Sequence, residues 1–307
     1  MDHPSENPFM LAETGRMRAT ALFRVLCFAV LLAAPFLATV LFLRHTLASL
    51  HSFENLALAG ELIAALCALF ATFVMAQATG KKIGMFGFGA RGWPRNFLLG
   101  IVVGIALLAA QLLAMSALGV FSFGAVTASG TSLLYYGLFY ALLFLTVGVA
   151  EEAMWRGYAL VEMSRAISFW PAALVLSAIF GALHLLNGGE NHAGALVAFL
   201  FGIVLAFSFQ QTGSLWLALG LHSGWDYAES FLFGVPDSGV VLTGRLLHPV
   251  VHGPEWLTGG GVGPEGSVLV AAPLLAIMLF SWLLRRRSNG AAASSPPPEV
   301  YGVKILR

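Results

Sequence analysis

Three short stretches place ionisable residues inside long apolar runs. GVAEEAMWRGY (148–158) carries Glu151, Glu152 and Arg156, AIFGALHLL (178–186) carries His184, and LGLHSGWDY (219–227) carries His222 and Asp226. Such groups are costly in a bilayer and mark pathways, relays or reaction centres. Glu152 and Arg156 stand four apart, so they stack on one helix face in the favoured order and can neutralise each other through a carboxylate–guanidinium contact. Glu151 is rotated about 100° from Glu152 and has no such neighbour, which leaves it for chemistry. His222 and Asp226 share a face, as do Phe180 and His184. A buried carboxylate can act as a general base toward water. Two imidazoles can orient that water, stabilise an oxyanion or bind a metal. Glu151, His184 and His222 together also make the ligand set of a catalytic zinc site, so zinc or another divalent metal is one expectation and metal-free activation of water by Glu151 the other. The one serine in these runs, Ser223, directly follows His222, and adjacent residues of a helix do not face each other, so activated water fits better than a covalent nucleophile. Taken singly, each residue has a plainer role: a lone histidine packs, an aspartate near a helix end is interfacial, and a Glu–Arg pair clamps a helix.

The elements that must position these groups are transmembrane helices. The 307 residues are 58% hydrophobic and only 10% charged, against about a quarter charged in soluble domains, and the mean hydropathy is +0.84. The expected fold is all-α: a polytopic integral membrane protein of about eight transmembrane helices around a polar catalytic cavity. The spans are expected at 25–43, 56–79, 96–119, 132–163, 170–188, 193–210, 213–231 and 267–284. The fourth is too long for one crossing, so its second half must emerge or pack against protein. The chain divides into a cytoplasmic tail (1–24), N-terminal transmembrane helices with an interfacial loop (25–130), a catalytic core (131–231), an outer loop (232–266), a last transmembrane helix (267–287) and a disordered tail (288–307). The segment GKKIGMFGFGARGWPRN (80–96) reads as a basic interfacial anchor. The Gly- and Pro-rich outer loop is expected to be irregular, without a role. If both termini are cytoplasmic, only Arg44 and Arg245 fall outside and Arg156 within the bilayer; every other Lys and Arg is inside, as the positive-inside rule requires.

Depth agrees with the grouping. Glu151 and His184 are equidistant from a turn near Ile167–Ser168, so an antiparallel hairpin sets them level. His222 rises from a turn at Gly213 to nearly the same height. Water is expected to reach them from the cytoplasmic side. Glu61 and Gln111 stand alone in the second and third spans and could line the cavity. Cys27 and Cys67 read as small buried hydrophobes, and a net charge of +1 argues against a nucleic-acid partner.

EEAMWR (151–156), FGALH (180–184) and HSGWD (222–226), in that order, resemble the EExxxR, FxxxH and HxxxN/D motifs of the CPBP family of intramembrane proteases. That family includes CAAX-processing endopeptidases of prenylated proteins and bacterial proteins linked to bacteriocin immunity and lysostaphin resistance. The resemblance implies that Glu151 activates water with His184 assisting, that His222 and Asp226 hold the oxyanion or a metal, and that Glu152, Arg156 and Phe180 support them. Asp226 stands where many members have Asn; an ionised Asp cannot donate to an oxyanion, so it would be protonated, orient His222 or bind metal. The implied activity is hydrolysis of a peptide bond in a membrane-associated or CAAX-type substrate, at the plasma membrane of a bacterium. A non-proteolytic scaffold or immunity partner of the same fold, and a proton-coupled transporter using Glu151, His184 and His222 as a relay, are the competing readings.

Overall fold

The computed structural model describes residues 8–49, 52–89 and 92–291; residues 292–307 of the tail expected at 288–307 and the polar start before Pro8 lie outside these, and 288–291 continue the last helix. The chain is built from helices: α1 (Pro8–Leu47), α2 (Phe53–Ala78), α3 (Trp93–Ala117), α4 (Gly130–Glu152), α5 (Tyr158–Ile167), α6 (Phe169–His184), α7 (His192–Thr212), α8 (Leu215–Tyr227), the single turn α9 (Glu255–Thr258) and α10 (Ala271–Ala291). Local chemistry sets their ends. The side chains of Ser52, Asn191 and Ser214 accept backbone N–H groups at the starts of α2, α7 and α8, which satisfies donors a helix N-terminus leaves free. Gly213, in the left-handed region, ends α7. Helix α1 starts at Pro8, so much of the segment expected as a tail is helical; it runs on through Pro35.

Among the described residues, six helices are long and apolar enough to cross a membrane: Gly15–Arg44, Phe53–Ala78, Trp93–Ala117, Gly130–Ile167, His192–Thr212 and Val268–Arg286. The eight expected spans reduce to these six plus two shorter elements. Helix α6 is apolar but has only 16 residues. Helix α8 continues through a π-helical segment (Ala228–Phe233), and its polar residues lower its hydropathy. Large apolar side chains such as Phe42, Leu98, Leu138 and Leu275 are exposed around the outside, as the lipid face of a bundle requires. This is a multi-pass membrane protein.

Helix α8 is the axis of the bundle, buried from Leu217 through Asp226. Helix α3 lies against it through glycines. A Cβ on Gly100 or Gly104 would come within 2.5 Å of the Leu217 or Leu221 carbonyl oxygen. One on Gly220 or Gly224 would meet the Phe97 or Ile101 carbonyl oxygen at 2.1 or 2.6 Å. Two facing GxxxG motifs therefore bring the backbones together, as in other membrane helix pairs. Leu108, Leu112, Phe201, Leu205, Leu221, Trp225 and Ile277 form the largest core cluster, joining α3, α7, α8 and α10. A second cluster joins α1, α2, α5, α6 and α7 around Tyr158 and Phe86.

One end of the bundle is basic, holding Arg24, Lys81 and Arg165, and these converge on the buried Glu162. The 80–89 segment there is more than an anchor: Phe86 is buried against Tyr158 at 4.7 Å, and the Gly87 and Gly89 carbonyls accept from Leu215 N–H and the Trp216 indole. The opposite end is made of loops, and it is ordered. Strand β1 (Phe121–Val126) pairs antiparallel with β2 (Leu247–Val251), with a bulge between Ser122 and Ala125. Gly124 sits in the bulge at φ +68, where a Cβ would fall 1.9 Å from the His248 carbonyl oxygen. The stretch expected to be irregular therefore holds a strand and is anchored to the bundle, in part by Gln111, whose amide donates to the Pro264 carbonyl at 2.7 Å.

Candidate active site

The chemistry-bearing residues of α4, α6 and α8 meet in one place. Helix α4 ends on Glu151–Glu152, and a π turn (Ala153–Gly157) follows with Arg156 inside it. Helix α8 carries His222 and Asp226 and also passes into a π segment, at Ala228. The first irregular turn directly follows Glu152 and the second begins two residues after Asp226, in keeping with the concentration of π-bulges at functional positions.

Glu152 is the hub. Its Oε1 accepts from Arg156 Nη1 at 3.0 Å and lies 2.9 Å from His222 Nδ1. Glu152 is fully buried and Arg156 nearly so, at 0% and 2% exposure. With Nδ1–H committed to Glu152, the other imidazole nitrogen of His222 is the working one. His222 Nε2 lies 3.4 Å from Glu151 Oε2 and 3.5 Å from Asp226 Oδ2, between two carboxylates. Glu151 is the more open member, with a quarter of its side chain exposed. His184 is held in the same way as His222: its Nδ1 is 2.8 Å from the Phe180 carbonyl, which leaves Nε2 facing outward. Phe180 fills the space between these groups. Its ring lies under the Arg156 guanidinium at 4.4 Å, against His184 at 4.5 Å and perpendicular to His222 at 6.5 Å.

Glu151, His184, His222 and Asp226 line one cavity of about 240 Å³ with Glu61 and Asn187. A second opening reaches Glu151 and His184 between α2, the π turn and α6, again past Glu61 and Asn187. The expectation that Glu61 reaches the cavity holds, whereas Gln111 is committed to Pro264 outside it. The remaining lining of the first cavity is informative. Phe53, Ala57, Asp237, Ser238, Val240, Leu242 and Glu265 belong to the start of α2 and to the loops after α8. The cavity therefore runs from the Glu/His group toward the loop end, not toward the basic end from which water was expected. The reason lies at the basic end itself, where Phe86, Tyr158, Leu215 and the Glu162 ion cluster are packed solid.

Sequence reasoning assigned Glu152 to Arg156 alone; its bond to His222 is new. Glu229 was also passed over, although it follows Asp226 by one turn of α8 and is fully buried. The contributions of Asp237 and Glu265 come from loops and leave no periodic signal. Burial, with Asp226 and Glu265 nearby, pushes the Asp237 carboxyl well above the usual range. As for a metal, the ligand atoms of Glu151, His184 and His222 do not all come within 4.8 Å of one another. Among the described residues, Glu229, Asp237 and Glu265 are the set that does. The zinc-type set thus does not fit this arrangement.

The polytopic bundle thus gathers a Glu-Glu pair, an arginine and two histidines around an enclosed polar space. Residues 132–228 match the family model described as type II CAAX prenyl endopeptidase Rce1-like, so this segment is a CPBP-family domain. The match spans α4 to the end of α8 and includes every residue of the Glu/His group. No curated protein and no solved structure matches the chain. At the level of the family, the match supports CAAX-type intramembrane protease activity.

Proposed function

We propose that the protein is an intramembrane endopeptidase in which Glu151 activates a water molecule, with residues 131–231 as its catalytic core. The observation that carries this reading is the placement of His222: Nδ1 is fixed by Glu152 at 2.9 Å and Nε2 is 3.4 Å from Glu151, inside a cavity that His184 also lines. Glu151 takes a proton from water as the water oxygen bonds to the scissile carbonyl carbon. When the C–N bond breaks, Glu151 returns that proton to the leaving amine. The protonated His222 Nε2 donates to the developing oxyanion, and His184 Nε2 accepts from and orients the attacking water. Asp226, beside Nε2, balances the charge on His222, a role that suits Asp where an Asn would serve as a donor. Phe180 and the Glu152–Arg156 pair act as positioning residues. The substrate class is a membrane-bound protein or peptide of CAAX type, which the family supports.

We further propose a bacterial plasma membrane as the protein's location, with both termini on the cytoplasmic side, an orientation that the distribution of Lys and Arg supports. The test is cleavage by purified protein in liposomes, using a fluorogenic CAAX-type peptide with and without a farnesyl group. Wild type is expected to cut the peptide and Glu151→Gln to lose the activity by about 10³-fold or more. Equal rates in the two proteins would remove Glu151 from the mechanism.

A further inference from the structure

Immediately beyond Asp226, at the loop end of the cavity, three carboxylates from separate segments meet. Glu229 comes from the π extension of α8, Asp237 from a tight turn and Glu265 from a 3-10 turn (Pro264–Gly266). One oxygen of each lies within 4.8 Å of the others, the spread expected of ligands around a cation with metal–oxygen bonds near 2.4 Å. Clustered acids alone mean little, and a second observation distinguishes this set. Glu229 is completely buried, yet neither carboxylate oxygen has a hydrogen-bond partner. The Trp225 indole N–H lies near enough to stabilise its charge but does not close a hydrogen bond of normal geometry. No Lys or Arg among the described residues forms an ion pair with Glu229, Asp237 or Glu265. A buried carboxylate with no well-formed hydrogen bond and no counter-charge is expensive.

The backbone and the neighbouring hydroxyls hold the other two acids in place. Asp237 Oδ2 accepts from Ser230 Oγ at 3.1 Å, and Glu265 Oε2 accepts from Ser238 Oγ at 2.8 Å; each retains an oxygen for a ligand. The turn that presents Asp237 closes through mutual Asp237–Val240 backbone bonds, with Ser238 and Gly239 at positive φ. The Glu265 turn is pressed against it, since a Cβ on Gly263 would sit 2.0 Å from the Pro236 carbonyl oxygen.

We infer that Glu229, Asp237 and Glu265 form a binding site for a hard divalent cation of the calcium type, separate from the Glu151–His222 pair and sharing its cavity. The bound ion ties the end of α8 to both loops and fixes the mouth of the cavity. All three ligands are carboxylate oxygens, two of them on turns outside the helices, which suits the variable coordination of calcium better than the strict octahedron of magnesium. The inference does not depend on the protein being a protease.

The experiment is calcium binding to purified full-length protein in detergent, by equilibrium dialysis and by terbium luminescence sensitised through the neighbouring Trp225. One saturable calcium per chain is expected, with a melting temperature that falls by several degrees when the ion is chelated. Asp237→Asn, or Glu265→Gln should the first variant misfold, is expected to weaken binding by about 10-fold or more, whereas Glu151→Gln leaves it unchanged. Absence of saturable binding to wild type up to about 10 mM, beyond the range of weak calcium modules, would overturn the site. Unchanged affinity in a folded Asp237→Asn or Glu265→Gln protein would do the same.

Discussion

At the scale of single residues, the site turns on one oxygen. Glu152 Oε1 serves both Arg156 and His222, so Glu152 is charge partner and orienter at once. Glu152→Gln retains the shape and an acceptor but loses the charge. It is expected to lower kcat by about 10- to 100-fold with little change in KM, and to shift the pH profile of cleavage as His222 loses its anionic partner. Glu152→Ala leaves a buried guanidinium unpaired, so a destabilisation of about 3 kcal/mol or more is expected in thermal unfolding. Equal activity and equal melting in both variants would show that Glu152 is a bystander. The members of the site were legible in the sequence because ionisable side chains are conspicuous in apolar runs, and i,i+4 spacing gave the Glu152–Arg156 contact directly. The Glu152–His222 bond was not legible: it joins helices 70 residues apart and depends on how α4 rotates against α8. Periodicity within a helix says nothing about that rotation.

At the scale of elements, what positions the site is the close packing of α8, the helix that carries His222. Its Gly220 and Gly224 face Gly100 and Gly104 of α3, while His222 and Asp226 point to the cavity. Gly220→Ala drives a Cβ to 2.1 Å from the backbone oxygen of Phe97. A loss of about 1–3 kcal/mol is expected, measured by thermal or denaturant unfolding. Gly60→Ala in α2, where a Cβ meets nothing within 4 Å, is expected to be neutral or to stabilise by up to about 1 kcal/mol. If Gly220→Ala melts like Gly60→Ala, the helix contact is not tight. Both GxxxG patterns are present in LLGIVVGIA and ALGLHSGWD, so the small-residue faces are readable from spacing, but not that α3 and α8 bring them together. The π segments after Glu152 and Asp226 were not, since a one-residue insertion in a helix leaves no mark on composition. Strands β1 and β2 escaped for a related reason: their stability comes from pairing across more than a hundred residues of chain, not from local pattern.

At the scale of the whole molecule, the bundle is closed at its basic end and open toward its loops. Six of the eight expected spans are long and apolar enough to cross a membrane on their own; α6 is shorter, and α8 is surrounded by protein, where polar groups are tolerated. Asn187 lines both openings to Glu151. In the proposed orientation, Asn187→Cys should react with a membrane-impermeant thiol reagent added to the outside of intact cells, and slowly in inverted vesicles, relative to a background with Cys27 and Cys67 replaced. Labelling only in inverted vesicles would reverse either the orientation or the direction of access. The central claim, that Glu151 is present to activate water for peptide hydrolysis, is tested most directly by comparing membrane-protein termini in cells carrying wild type and Glu151→Ala at matched expression. The account predicts new termini with wild type alone, although both proteins insert equally. Identical sets of termini, with the wild-type protein folded and present, would contradict it.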